Sequence, residues 1–145
     1  MEKKYYAPDI GETFTDGIGK HSLFDAFGCQ ISGGIRFTNK NKFVILIDVP
    51  NSIYDDSVEG DILNYKGTGE GDQGFKYDPD NRKNGFLMNR KVKDSDSILL
   101  YFEKPRRNFL VFKHEVKYVS HSFVKRRNME GDMRKVINFK LKIIK

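Results

Sequence analysis

Two unbroken apolar runs, Phe43-Val44-Ile45-Leu46-Ile47 and Ile98-Leu99-Leu100-Tyr101-Phe102, dominate the hydrophobic pattern of this chain. Both are rich in β-branched or aromatic residues and too short for an average helix, so each predicts a buried strand. Pro50 ends the first. The chain closes on a different pattern. Ile137, Phe139, Leu141 and Ile143 alternate with Asn138, Lys140 and Lys142, as in a strand with one face on a core. Asp61–Tyr65, Phe109–Phe112 and Val116–Val119 are further strand segments.

Other elements follow from punctuation. Ser22–Gly28 reads as a short helix, with Ser22 as cap, Asp25 at capping-box spacing and Gly28 as a left-handed stop. Asn81–Lys91 reads as a second helix, with Phe86 and Leu87 inward and Arg82, Lys83, Arg90 and Lys91 outward. Residues 1–20, broken by Pro8, Gly11, Gly17 and Gly19, read as an irregular arm. Residues 66–80 read as a glycine-rich loop, and Lys125–Asp132 as a basic hairpin tip. Several strands joined by hairpins, with short flanking helices, predict an α+β, mostly β architecture: an antiparallel sheet curled toward a barrel. There is no internal repeat and no linker. The 145 residues suit one domain, and a stop almost at the end of the last strand is what a domain cut from a longer protein is expected to show.

Composition narrows the classes of function. One cysteine, Cys29, excludes an internal disulfide framework and a cysteine-rich zinc site. No apolar run has membrane-spanning length and no signal-peptide core follows Met1, so a cytoplasmic setting is expected. The formal net charge is +6, unevenly distributed. Residues 1–72 carry 7 basic and 12 acidic side chains, and residues 73–145 carry 19 and 8. The second half is therefore the face expected to meet a polyanion.

Familiar chemical motifs fail on spacing. Counted from Gly67, the third glycine of a dinucleotide fingerprint falls on Asp72, and no Gly-Lys-Ser/Thr follows for a P-loop. A calcium loop starting at Asp78 would need glycine at 83 and glutamate at 89, where Lys83 and Asn89 stand. His21, His114 and His121 pair closely with neither carboxylates nor Cys29, so no metal or other cofactor is expected. Pro79-Asp80 and Glu115-Val116-Lys117 satisfy a nuclease pattern in letters. There, two carboxylates hold Mg²⁺ beside a phosphate and a lysine positions the nucleophile. The pattern is weak in a chain that is 32% charged. A small Mg²⁺-dependent nuclease is nevertheless one alternative function, and a general RNA- or protein-binding module is another.

The informative segment is 54–73. Tyr54 and Tyr65 flank the acidic cluster of Asp55 and Asp56, and Gly67, Gly69 and Gly71 follow. Aromatics can sandwich a planar base, and a carboxylate can accept a hydrogen bond from an exocyclic amine such as cytosine N4. This segment resembles the SRA (SET- and RING-associated) domain, especially the form found in bacterial modification-dependent restriction endonucleases. The resemblance is carried by Tyr54-Asp55-Asp56, by Gly60-Asp61-Ile62-Leu63-Asn64-Tyr65-Lys66-Gly67-Thr68-Gly69, by Gly71-Asp72-Gln73 and by Asn84-Gly85-Phe86-Leu87. Upstream Gly33-Gly34-Ile35-Arg36 and the closing stretch Arg134–Leu141 extend it over residues 27–143.

The resemblance implies a PUA-like curved barrel that flips a modified base, such as 5-methylcytosine, out of double-stranded DNA. It implies Tyr54 and Tyr65 as the stacking aromatics, Asp56 as the base-reading carboxylate with Asp55 as rival, and Lys66 in the pocket. Gly67, Gly69, Asp72 and Gln73 would form the pocket loop. Arg36, Lys125, Arg126 and Arg127 are the candidate phosphate contacts. Lys66 departs from the family's usual threonine, and residues 77–82 are an insertion. Cleavage would belong to a separate nuclease or motor domain, fused or associated.

Overall fold

The two apolar runs are neighbours in space. In the computed structural model, which describes residues 8–15, 22, 26–27, 35–37, 43–49, 56–94, 96–128 and 130–144, β3 (Phe43–Asp48) and β6 (Ile98–Arg106) lie side by side and parallel. All the other named pairings are antiparallel. The remaining elements are β1 (Thr13–Phe14), β2 (Ile35–Phe37), β4 (Ser57–Glu59), β5 (Ile62–Lys66), α1 (Phe86–Lys93), β7 (Phe109–Arg127) and β8 (Met133–Ile143). The sheet runs β2-β3-β6-β7-β8-β5-β4, with β1 paired to β7.

An unbroken apolar run is what a strand needs when both faces are covered. Alternation sends Val44, Leu46, Leu99 and Tyr101 into the curl of the sheet, where they meet Leu63, Tyr65, Val116, Ile137, Phe139, Leu141 and Val92 of α1. Phe43, Ile45, Ile47, Leu100 and Phe102 point the other way, onto Leu110, Phe112, Phe14 and Phe27. Phe14 and Phe27 roof this second core with tilted and edge-on rings, Phe14 to Phe102 at 5.6 Å and Phe27 to Phe43 at 5.2 Å between centroids. The N-terminal arm is thus partly a strand, because Thr13 and Phe14 pair with Val111 and Leu110. Of the short helix at 22–28, only 22, 26 and 27 are described. Ala26 donates to the Ser22 carbonyl, and Ala26 and Phe27 are helical.

Two expectations are corrected. Val116–Val119 continues Phe109–Phe112 in one strand of 19 residues, and that strand runs on into the first part of the expected basic tip. Its hairpin with β8 is paired out to Arg127 and Met133, so the turn is confined to 128–132. The helix expected over 81–91 begins only at Phe86, because Gly85 is left-handed with φ 77°. That shift turns Val92 and Asn89 inward and leaves Leu87 exposed.

A single phenol closes the curl. The Tyr65 hydroxyl donates to the Ile47 carbonyl at 2.8 Å and accepts from the Ile47 N–H at 3.0 Å. Strands β5 and β3 are far apart along the sheet, so this bond ties its two ends together. Tyr65→Phe should leave both Ile47 groups without this partner in a buried setting. It should cost about 1–3 kcal/mol of stability, measured as a fall in the urea midpoint. An unchanged midpoint would mean the sheet closes without the phenol.

Candidate nucleic-acid interface

The Tyr65 clamp gathers an acidic site. Asp48 follows Ile47 at the end of β3, and Asp56 precedes β4. The Lys66 N–H donates to Asp56 Oδ1 at 2.7 Å. Asp48 lies near enough to both Asp56 and the Tyr101 hydroxyl to act on them electrostatically. The Tyr101 ring stands edge-on to Tyr65, 6.0 Å between centroids. Burial, opposed by the Lys66 N–H and reinforced by Asp48, pushes the Asp56 carboxyl up to about 8. Burial and the nearby carboxylates also raise both tyrosine hydroxyls. That setting favours the protonated carboxyl, which has an O–H as well as acceptor oxygens to offer.

The residues expected in the pocket fare differently. Asp56 and Tyr65 come together on the inner side of the curl. Tyr65 is only 2% exposed and belongs to the core; the expected open stacking surface is instead a packed wall. Lys66 joins the site through its backbone. Strand alternation puts its side chain on the face of β5 opposite Tyr65, beside its register partner Asn138. Tyr54 and Asp55 lie outside the described residues, as do His21, Cys29 and Gly33-Gly34. Arg36 sits on β2 opposite Ile45. Asp48 and Tyr101 went unread in the sequence, although an acidic residue closing a wholly apolar strand was a visible signal for the first.

The glycine-rich loop is a scaffold. Gly67 N–H and Gln73 N–H donate to the carbonyls of Ile137 and Lys135, so the loop runs along the edge of β8. The Gln73 side chain bridges Gly67 O at 2.8 Å and Ile137 N at 3.0 Å, and Asp72 accepts from Lys135 N at 2.7 Å. Buried Arg134 donates to the carbonyls of Gly69 and Gly71. Asn89 of α1 accepts from Thr68 N at 2.9 Å and donates to Thr68 O and Gly74 O at 2.9 and 3.1 Å. A Cβ on Gly85 would run into the Thr68 carbonyl oxygen, and one on Gly69 into the backbone of Asn84. The glycines thus admit helix and loop to each other, where a ligand contact was expected. Read from Gly69, the run Gly69-Glu70-Gly71-Asp72-Gln73-Gly74 spells a dinucleotide fingerprint in letters. It opens no helix, since the next begins at Phe86.

The basic hairpin has two unlike faces. Register places Phe123, Lys125 and Arg127 opposite Ile137, Lys135 and Met133, and Arg126 opposite Arg134. One face therefore shows Lys125, Arg127 and Lys135 with exposed Phe123 and Met133, and Lys135 Nζ lies 4.8 Å over the Phe123 ring. Arg126 is on the other face. Like charges directly across a sheet repel, yet Lys117–Lys142, Lys125–Lys135 and Arg126–Arg134 are all such pairs.

The nuclease pattern is not assembled. Asp80 is exposed, its N–H on Asp78 Oδ1. Glu115 and Lys117 line a groove with Val92, Lys93 and Tyr118 that Asp80 does not line. Among the described residues no group of three His, Cys, Asp or Glu could hold a metal ion. His114 stacks on Tyr101, and His121 Nδ1 meets the Tyr118 hydroxyl at 2.7 Å. No described helix is long and apolar enough to cross a membrane.

The curled, mostly β sheet has the SRA fold. Residues 10–145 match the family of ScoMcrA-like SRA domains, and the chain belongs to that family. Its structure is similar to the sulfur-binding and SRA domains of ScoMcrA complexed with phosphorothioated DNA, at 22% identity and TM-score 0.67 over 94% of this chain and 40% of that one. It is similar to the MspJI restriction endonuclease in complex with a 27-mer oligonucleotide, at 10% identity and TM-score 0.65 over 92% and 42%. It is also similar to the SUVH5 SRA domain complexed with hemi-methylated CG DNA, at 17% and 0.56 over 99% and 94%. Identities this low establish the fold alone. The chain spans 40% and 26% of the two ScoMcrA chains it matches. No curated protein matches it.

Two outcomes follow. Asn89→Ala should leave the Thr68 and Gly74 groups unsatisfied, at roughly 1–3 kcal/mol for each that stays buried. It should also speed hydrogen exchange at the Thr68 amide; unchanged protection would show the loop held by β8 alone. Because the Asp56 carboxyl is raised in the folded chain, the folded state binds a proton the unfolded state has lost. Stability should fall as pH rises from about 4 to about 8 and level off above. Asp56→Asn, which keeps the acceptor for Lys66 N–H, should flatten that decline in thermal melts.

Proposed function

We propose that this chain is a reader of modified DNA that turns one base out of the duplex toward Asp56 and serves as the specificity module of a restriction system. Membership in the ScoMcrA-like SRA family supports DNA as the partner. The observation that carries the reading is the exposed basic face of the β7–β8 hairpin, where Lys125 stands directly across from Lys135 with Arg127 beside them. Such pairs lower the free protein's stability and become favourable once phosphates lie between them. Phosphate contacts from Lys125, Arg126 and Arg127, joined by Lys135 and Arg36, would provide affinity without sequence information. The acid site would read the base edge, with Tyr54 as the stacking ring and Tyr65 as the packed wall behind it. Unstacking costs a few kcal/mol, offset by these contacts. Cleavage would reside in a separate domain.

Binding of duplexes that differ only at one cytosine, unmodified, 5-methylated, 5-hydroxymethylated or glucosylated, tests this reading. One modified duplex should bind more tightly than its plain twin. Replacing Lys125, Arg127 and Lys135 by Ala should weaken all duplexes alike and flatten the salt dependence. Tyr54→Ala should remove roughly 1–3 kcal/mol from the modified duplex only. Equal affinity across the panel would reject base reading, and unchanged affinity in the hairpin variant would place the phosphates elsewhere.

A further inference from the structure

The inner face of the β7–β8 hairpin carries rings as well as cations. Tyr118, His121 and Phe123 all fall on this face of β7, because the register shift between Tyr118 and Ser120 sets them opposite Leu141, Phe139 and Ile137. Their ring centroids follow one another at 6.2 and 5.8 Å. Phe75, from the segment before α1, stands 4.7 Å from His121 and 6.2 Å from Phe123. This cluster is not sealed. Phe123 is 45% exposed, and Tyr118, His121 and Phe75 are half-buried. Cations edge it on both sides. Exposed Lys93 of α1 holds its Nζ 4.3 Å over the Phe75 ring, and Lys135 lies over Phe123. Lys125 and Arg127 carry the face on toward the tip, and Glu130 and Asp132 lie beyond it in the turn. Phosphate contact needs only the cations and leaves the open rings without a part.

We propose that this face is a stacking strip for unpaired DNA. Bases of a single strand lie on the rings at Phe123 and His121, and the phosphates between them take the ammonium groups of Lys93, Lys125 and Lys135. Every base has a π-face, so rings interleaved with cations hold a single strand without reading its sequence. A closed duplex keeps its base faces stacked inside and would offer this strip only sugar and phosphate. The lysines over Phe75 and Phe123 now make cation–π contacts; an incoming strand replaces both halves of such a contact, with a base on the ring and a phosphate on the ammonium. The proposal rests on DNA being the partner and on the hairpin meeting its phosphates. It is independent of the Asp56 site and of any modified base, and it adds a second binding mode, to ends, gaps or opened stretches.

Two strands of equal length and charge separate stacking from phosphate contact: a short oligothymidine, and the same backbone with every base removed. In fluorescence anisotropy the wild-type chain should bind the oligothymidine about tenfold more tightly than the abasic strand, the scale of one base stacked on an aromatic ring. Phe123→Leu, which keeps an apolar side chain at an exposed position, should bring that ratio close to one, and Phe123→Tyr should retain it. Lys125→Gln should weaken both strands alike and leave the ratio as it was. In NMR spectra the ring protons of His121 and Phe123 should move upfield with the oligothymidine and not with the abasic strand. Equal wild-type affinity for the two strands overturns the strip, as does a Phe123→Leu variant with the wild-type ratio. Failure to bind either strand, the result for a surface that takes an acidic peptide instead, also overturns it. The comparison of a 5-methylcytosine duplex with its plain twin keeps the two readings apart. A chain that prefers no modified duplex yet holds the strand ratio overturns the reader and supports the strip, and a preference kept in Phe123→Leu while the strand ratio is lost supports both.

Discussion

The hydrogen bonds between the Tyr65 phenol and the backbone of Ile47 hold together what the sheet path separates. Strand order alone would leave β3 and β5 on opposite flanks of an open sheet. The clamp joins them, and each of its ends carries a neighbour into the acid site. Asp48 follows Ile47 directly, and Lys66, which follows Tyr65, offers its N–H to Asp56. The site therefore exists only when the curl is shut. A phenol suits this work, since it can donate and accept at one oxygen while its ring fills the inner core.

Around that closure the chain separates rigid support from exposed charge. The glycine loop, the first turn of α1 and the edge of β8 form one hydrogen-bonded block centred on Asn89, Gln73 and Arg134. Arg134 is a charge used internally, neutralised by backbone carbonyls of the loop. The hairpin beyond it is open, with Lys125, Arg127 and Lys135 together on one exposed face. Holding the base of the hairpin with a buried network while leaving its outer residues free gives a stiff basic arm, which loses little conformational entropy when an anion arrives.

Buried carboxyls and paired like charges both lower stability, and the two apolar clusters offset them. The outer one is closed by Phe14 and Phe27 from the N-terminal region, so a segment that is largely irregular in sequence supports strands at the centre of the sheet. The inner one surrounds the clamp. Placing unfavourable groups next to the best-packed strands is a common arrangement for binding sites, because only a rigid frame keeps such groups in contact.

The sequence by itself determined the strands and the family. Unbroken apolar runs at Phe43–Ile47 and Ile98–Phe102 and the alternation at Ile137–Ile143 are local signals of burial, and tertiary structure left them intact. The spacing of Tyr54, Asp56, Tyr65 and the glycines carried the resemblance. Only the fold decided what those residues do. Helix α1 starts late because the left-handed Gly85 meets Thr68, a contact across the loop that no helical periodicity records. Tyr65 is a clamp and Gly69 a packing position because of partners on other elements. Asp48 entered the site because β3 and β5 are brought together. Periodicity reports which face of an element is apolar; which distant backbone atom that face touches depends on chain closure, and that is where the chemistry of the site was set.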